Sequence, residues 1–308
     1  MADFSQLSII IVSWNVRELL RACLAGLPCD AEVIVVDNAS LDGSADMVRR
    51  DFPHVRLLAN TNNRGFTGGN NDGLRLASRP WVLFLNPDTV VRGDALEQML
   101  AYLQSHAHVG VVGPQLRYGD GSLQSSRRRF PTLATALFES TPLAWHWPAE
   151  RNPWARRYHM AGTRSDRTQE VDWLVGAALL TRQDVLVQVG GFDEGYFMYS
   201  EELDWQRRVK QIGWKIVYLP EAVITHYEGK SSEQATGARH IRFNRSKVRY
   251  FRKHHGSWQA EFLRLALLTM FGFEWAIEAA KYLLGSERAM RRGRLSAYSQ
   301  LIRSGLSK

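Results

Sequence analysis

The strongest constraint on this chain is the rhythm of its first 90 residues. Short apolar runs fall at 8–12, 32–36, 55–58 and 81–85. Polar residues follow most of them: Ser13-Trp14-Asn15, Asp37-Asn38-Ala39-Ser40 and Asn86-Pro87-Asp88-Thr89. Helical patterning over 16–26 and around 71–77 separates runs of this kind. Buried strands alternating with helices predict an α/β protein built on a mostly parallel mixed sheet flanked by helices. In such sheets ligands bind beyond the carboxyl ends of the strands. The polar residues after each run are therefore the first candidates for chemistry.

Further along, residues 117–170 are loop-like and rich in Arg, Ser, Pro and Trp, as an acceptor loop or a lid is. A strand-like run follows at 171–181, then a turn at 190–194. A helix is expected over 201–212, closed by Gly213 at the position glycine commonly takes after a helix. Strands are expected at 215–219 and 222–225. Beyond Ser232 the pattern turns helical, which divides the chain into a catalytic domain at 1–238 and a basic, amphipathic C-terminal helical extension at 239–308. Ile241, Val248 and Phe251 share one face of the first C-terminal helix, with Phe243 and Tyr250 on its far side.

With 45% hydrophobic and 23% charged residues among 308, the chain has ample core and no signature of wholesale disorder. Its two cysteines, Cys23 and Cys29, are too few for a disulfide framework and fit a reducing cytoplasm. Residues 1–6 carry no basic run, so no secretory leader is expected. The net charge of +8 is concentrated. Arg239, Arg242, Arg245, Lys247, Arg249, Arg252 and Lys253 fall in a stretch without a carboxylate, which is either a solvated basic face or a site for phospholipid, lipid pyrophosphate or nucleic acid. The apolar segment 263–273 is too short and too charged to span a bilayer. It reads as an interfacial helix on an anionic membrane, or as one packed on the catalytic domain or in a homodimer.

Asp37, at a strand's end, can accept hydrogen bonds from a pyrimidine N–H or a ribose hydroxyl, or can cap the next helix. The run at 63–73 is dense in Gly and Asn and suits a loop approaching a ligand. It does not follow the first strand, which argues against a dinucleotide-binding dehydrogenase. Asp88 can ligate Mg²⁺ or Mn²⁺, or simply close a turn. His226, also at a strand's end, is a candidate ligand or a structural residue. Glu201, Glu202 and Asp204 suit the dipole at a helix start, which favours their ionised forms, and one of them could take a proton from an acceptor hydroxyl.

Taken in order, these segments resemble family 2 glycosyltransferases of the GT-A fold. The resemblance rests on 9–15, 35–44, 63–73, 85–88, Trp173 to Ala177, Gly191 to Glu194, Glu201 to Asp204 and Thr225 through Ser231. It covers about residues 7–255 and is nearest the bacterial rhamnosyltransferase-like branch, which builds cell-envelope polysaccharides. It implies that Asp37 holds the base, with Ser13, Trp14, Asn15 and Gly65 around the nucleoside. Phe66, Asn71 and Asn86 would also belong to the nucleotide-sugar site, and Lys230 would touch the pyrophosphate. Asp88 and His226 would ligate the metal, Trp173 and Gly176 would line the sugar and acceptor pocket, and Glu202 would be the base with Glu201 and Asp204 in support. Two departures stand out: Asn86 replaces the first Asp of the metal motif, and Glu202 replaces a more usual Asp.

The implied reaction is an inverting transfer of a rhamnose-like or other hexose from a dTDP- or UDP-sugar to a glycan or lipid-linked acceptor, at the inner face of the cell membrane. A sugar nucleotidyltransferase would need a phosphate loop after the first strand, and none is present. A non-catalytic membrane- or nucleic-acid-binding protein would leave the ordered series from Asp37 to His226 unexplained, so no nucleic-acid partner is expected.

Overall fold

The computed structural model describes residues 3–139, 147, 151–227, 236–285 and 287–307, with only the backbone of 236–238. Two compact units emerge. One comprises residues 1–130, 159–197 and 201–231; the other comprises 131–158, 198–200 and 232–308.

The first unit is built on a ten-stranded mixed sheet. Its parallel half consists of β1 (Leu7–Ser13), β2 (Glu32–Asp37), β3 (Arg56–Ala59) and β4 (Trp81–Leu85), ordered β3-β2-β1-β4. The next strands are β5 (Thr89–Val91), β6 (Val109–Arg117), β7 (Leu123–Gln124), β8 (Arg127–Arg128), β9 (Gln169–Val171), β10 (Trp173–Leu174), β11 (Ala178–Arg182) and β12 (Lys215–His226). β11 inserts antiparallel between β4 and β6, and β12 runs parallel to β6 and antiparallel to β5. The run read as one strand at 171–181 is thus three pieces, of which β10 leaves the main sheet to pair with β8. The two strands read at 215–225 are one, with a register shift between Leu219 and Val223, where Pro220 cannot donate to a ladder.

Helices α1 (Arg17–Ala25), α2 (Ser44–Asp51), α3 (Gly65–Leu74) and α4 (Ala95–Ser105) connect these strands. Most of the Gly/Asn-rich run is therefore helix α3 rather than a loop, and the helix expected around 71–77 overlaps only its end, since α3 begins at Gly65 and closes at Leu74. Packing explains it. A Cβ at Gly69 would meet Val12 Cγ1 at 2.7 Å, and one at Gly73 would overlap Ile10, so the bare helix face lies directly on β1. Close packing on the sheet outweighs the roughly 1 kcal/mol that each glycine costs a helix. Apolar residues of both sheet faces form the core, with Ile9, Ile11 and Val35 on one side and Ile10, Ile34 and Phe84 on the other.

The stretch 117–170 holds short helices α5 (Leu133–Glu139) and α6 (Pro153–Tyr158), and α7 (Gln183–Val189) and α8 (Glu201–Gln211) follow. In the second unit, α9 (Thr236–His255), α10 (Ser257–Leu283) and α11 (Arg288–Arg303) form the C-terminal helical extension. Tyr250, expected on the far side of α9, is fully buried. Lys247 is buried too, its ammonium 4.8 Å from the Phe243 ring, so the basic stretch is not one continuous solvated face. Among the described residues no helix is long and apolar enough to cross a membrane.

Candidate active site

Strand register assembles the site. Ser13 pairs with Asp37 across β1 and β2, and Asn86 follows β4, the other neighbour of β1. Their side chains thus share the carboxyl edge of the parallel half. Among the described residues, Ser13 Oγ, Asp37 Oδ1 and Asn86 Oδ1 are buried without a hydrogen-bond partner. Unpaired buried acceptors cost about 1–3 kcal/mol each, so a ligand that donates to them recovers that cost.

The loops beyond these strands are clasped together. Asn15, at φ 53°, donates its N–H to Ser40 Oγ (2.9 Å) and accepts from Leu41 N (2.7 Å). Asp37 keeps its other oxygen on Ser40 N at 3.0 Å, so it caps its own turn as well as presenting a free acceptor. Trp14 is half-buried. Gly65 has φ +74°, and a Cβ there would overlap the Phe197 carbonyl oxygen. The neighbouring Phe66 N–H donates to that carbonyl at 3.0 Å, while its ring packs near Phe192.

Asn71 is consumed by the protein. Its amide donates to Phe192 O (2.8 Å) and Glu194 (3.1 Å), and its oxygen accepts from Phe192 N (2.9 Å). Asn38, Asn60, Arg64, Asp72 and Glu194 extend this mesh, with Asn38 donating to Gly65 O at 2.8 Å. Apart from Asn60 these residues lie in the motifs noted in the sequence, but their pairing, across as many as 130 positions, was not legible there.

Asp88 and His226 meet at the β5–β12 end of the sheet, with Asp88 Oδ1 3.3 Å from His226 Nε2. Asn86 Nδ2 lies 3.4 Å from the same nitrogen, and His226 Nδ1 lies 3.0 Å from Gln124 Oε1. If Nδ1 donates to Gln124, Nε2 turns its lone pair toward a carboxylate. That sets an imidazole lone pair beside a carboxylate oxygen, with the Asn86 amide next to both. One carboxylate and one imidazole fit Mg²⁺ or Mn²⁺ that takes its remaining ligands from substrate phosphate and water. Among the described residues no group of three His, Cys, Asp or Glu gathers that could hold a metal alone. Cys23 lies beneath, its thiol 3.6 Å from Thr89 Oγ1 and pushed up to about 12 by burial, so it stays a thiol.

The start of α8 is reached from this edge through Asn86 N, which donates to Ala177 O at 2.9 Å. Next to Ala177, a Cβ on Gly176 would stand 3.3 Å from Glu202 Cβ, so the glycine admits the carboxylate. Gln206, fully buried, locks the pair. It accepts from Leu174 N (2.9 Å) and donates to Leu174 O (2.8 Å) and Glu202 O (3.0 Å). Trp173 is buried, its indole N–H donating to Arg129 O at 3.1 Å.

The three carboxylates at the start of α8 differ sharply. Asp204 is wholly buried and paired with Arg208 at 2.9 Å, which in turn donates to Val189 O and Gly191 O. Glu201 is buried, and burial first, then the charge of Glu202, pushes its carboxyl well above the usual range. Burial raises Glu202 as well, opposed by backbone N–H groups including Gly176's and by Arg128. Burial thus works against the helix dipole, which favours the ionised forms, at both carboxyls. Of the two, Glu202 is the one supported in its ionised form. Glu202 Oε2 has no partner among the described residues. Lys230 lies outside the described residues.

The mixed sheet, with its acceptor-lined edge and a carboxylate at the start of α8, defines a glycosyltransferase of the GT-A fold. A mannosyltransferase from Pyrobaculum calidifontis, solved with GDP-mannose and Mn²⁺, superposes with a TM-score of 0.55 at 19% identity, covering 96% of this chain and 85% of that one. The chain belongs to glycosyl transferase family 2, whose sequence model matches residues 8–188. It is 31% identical over 276 residues to N-acetylglucosaminyl-diphospho-decaprenol L-rhamnosyltransferase of Mycobacterium tuberculosis, covering 85% of this chain and 89% of that protein. Rhamnosyltransferase WbbL of Escherichia coli K12 is 28% identical over 232 residues, 71% and 82% of the respective chains.

Proposed function

We propose that this glycosyltransferase moves a rhamnose-like or other hexose, with inversion, from a dTDP- or UDP-sugar to a hydroxyl of a glycan or lipid-linked acceptor in cell-envelope polysaccharide synthesis. The observation that carries the reading is the row of unpartnered buried acceptors at the strand ends, completed by the Glu202 carboxylate. Asp37 Oδ1 and Ser13 Oγ suit the N–H and hydroxyl donors of a pyrimidine nucleoside. Glu202 Oε2 takes the acceptor's hydroxyl proton while that oxygen attacks the anomeric carbon and the bond to the diphosphate breaks. Asp88 and His226 would hold Mg²⁺ or Mn²⁺, which offsets charge developing on the leaving diphosphate. Glu201 and Asp204 support Glu202 from the same helix turn, Asp204 through its pair with Arg208. The rhamnosyltransferase relatives support the sugar, and the lipid-linked substrate in one relative's name supports the acceptor.

A thermal-shift series over nucleoside diphosphates with Mn²⁺ tests the donor. UDP or dTDP should raise the melting temperature more than GDP or ADP, because binding to the native state stabilises it. Equal or larger shifts with purine nucleotides would refute the pyrimidine assignment.

The same reading seats the protein on the cytoplasmic face of an anionic membrane through residues 239–308. Support comes from α10, where Trp258, Phe262, Leu265 and Phe273 are exposed at helical spacing, and from exposed cations on the neighbouring helices, among them Arg252 and Arg294. Apolar surface and positive charge together are the two signals that stable peripheral binding needs. Vesicles containing phosphatidylglycerol should sediment the native chain and release a Trp258→Ser/Phe262→Ser variant. Equal sedimentation of both would remove the membrane seat, and a change in oligomeric state would instead mark a homodimer face.

A further inference from the structure

Ser126 takes no part in the chemistry above, yet its hydroxyl is of the kind that a ligand completes. It directly precedes β8, is buried, and its carbonyl accepts from Val175 N at 3.0 Å, which continues the β8–β10 pairing by one step. Its Oγ has no hydrogen-bond partner among the described residues. Neighbours on a strand point to opposite faces. Arg127 turns to one face, donating to Thr163 Oγ1 (3.0 Å) and Arg164 O (2.9 Å), so Ser126 turns to the other.

Three consecutive residues anchor Ser126 to the site. Val175 bonds the Ser126 carbonyl, Gly176 gives its backbone N–H to the Glu202 carboxyl, and Ala177 accepts from Asn86 N at 2.9 Å. Residues 175 and 177 lie at most about 7 Å apart, the reach of two residues of extended chain. Ser126, Glu202 and Asn86 are thus held side by side. Each carries an oxygen without a partner among the described residues: Ser126 Oγ, Glu202 Oε2 and Asn86 Oδ1. Asn86 Nδ2 lies 3.4 Å from His226 Nε2, and Gln124, two residues before Ser126, lies 3.0 Å from the other nitrogen of that ring. Ser126 is therefore connected to the diphosphate side through Gln124 and Asn86, and to the base through Gly176.

The group that lies between a departing diphosphate and an attacking hydroxyl is the sugar being transferred. Its ring hydroxyls both donate and accept hydrogen bonds, as a serine hydroxyl does, while Asn86 Oδ1 accepts only. We propose that Ser126 Oγ, with Asn86 Oδ1 beside it, binds ring hydroxyls of the transferred hexose and makes Ser126 a specificity-determining residue for the donor sugar. This rests on the reading of Asp88 and His226 as the diphosphate end and Glu202 as the base, and extends it to the sugar itself.

The probes are dTDP-rhamnose, UDP-glucose, UDP-N-acetylglucosamine and GDP-mannose, each titrated with Mn²⁺ against the full-length protein alongside its own nucleoside diphosphate. The ratio of the two affinities isolates the sugar's share. For the donor with the most favourable ratio, Ser126→Ala should lower that ratio about tenfold and leave the nucleoside diphosphate affinity unchanged. The ligand-free variant should melt no lower than the native protein, because an unpartnered buried hydroxyl contributes no stability. Deoxy derivatives of the same sugar complete the cycle. One of them should bind the native protein about tenfold more weakly than the intact sugar nucleotide, and Ser126→Ala should not distinguish the two. An unchanged ratio in Ser126→Ala overturns the subsite, as does equal discrimination by both proteins against every deoxy derivative. A lower melting temperature with nucleotide affinity lost in parallel also overturns it, since Ser126 would then be structural. Glu202→Gln separates the two readings. It should keep the native ratio, so retained transfer by that variant sinks the base while leaving the sugar subsite standing.

Discussion

The two units carry opposite kinds of unsatisfied surface. At the strand ends of the sheet unit, acceptor oxygens of Ser13, Asp37, Asn86 and Glu202 are buried without partners. In the helical unit, large apolar side chains stand in solvent along α10, while the buried carboxylate of Glu278 is fully engaged with Arg291 at 2.7 Å and Arg294 at 3.5 Å. A hydrogen-bonding ligand answers the first deficit and an apolar surface answers the second. Neither unit could serve the other's partner, so perturbations should fall on one unit's function and leave the other's intact.

Glu202→Gln gives the largest expected effect. Transfer should fall about 10²–10⁴-fold with donor binding kept, because the amide matches the shape and cannot take the proton. In the native enzyme the rate should rise with pH through the raised carboxyl range of the Glu201–Glu202 pair, since the base works only when ionised. Retained transfer, within about threefold of native, would move the role to a neighbour. Asp88→Ala comes next, with a loss of about 10²–10³-fold, comparable to removing one electrostatic contact at the developing charge. EDTA should do the same to the native enzyme, and full turnover in EDTA would dismiss the metal. Asp37→Ala should weaken nucleotide binding roughly 10- to 100-fold, the worth of a hydrogen bond to a charged acceptor. Vesicle binding should survive all three, and its loss in any of them would dissolve the division between units.

The smallest effect belongs to the helical unit. Burial pushes the Glu278 carboxyl up, but the Arg291 hydrogen bond and the charges of Arg291, Arg294 and Lys281 more than offset it and hold it below the usual range. A depressed carboxylate stabilises the fold above its unfolded pKa and loses that contribution as pH falls through the folded one. Acid scans should therefore show the native melting temperature declining through the carboxylate range, with a shallower decline in Glu278→Gln. Parallel declines would mean that this pair contributes nothing.

Much of the sheet's carboxyl edge was legible because its strands are continuous apolar runs, and such runs announce both a strand and its polar end. Helix α3 was not, since its glycines carry no local helical preference and the sheet beneath decides their conformation. Sequence could name Asp88, His226 and Glu202 as chemistry-bearing residues. It could not supply Gln124, Gln206 or Arg128, because each acquires its meaning from a partner brought up by a distant strand or helix. Nor could it show that Asp204 faces Arg208, or that Glu201 is buried and Glu202 half-buried.

The mesh around Asn71 has a consequence for recombination between relatives. Asn71 grips Phe192 on both sides of its amide, and the N–H of Phe66 holds the carbonyl of Phe197, so residues 60–75 and 190–197 behave as a single exchangeable cassette. A chimaera that imports one stretch without the other would leave these side chains facing foreign backbone. Crossover points at 60 and 198 would carry the paired stretches across intact.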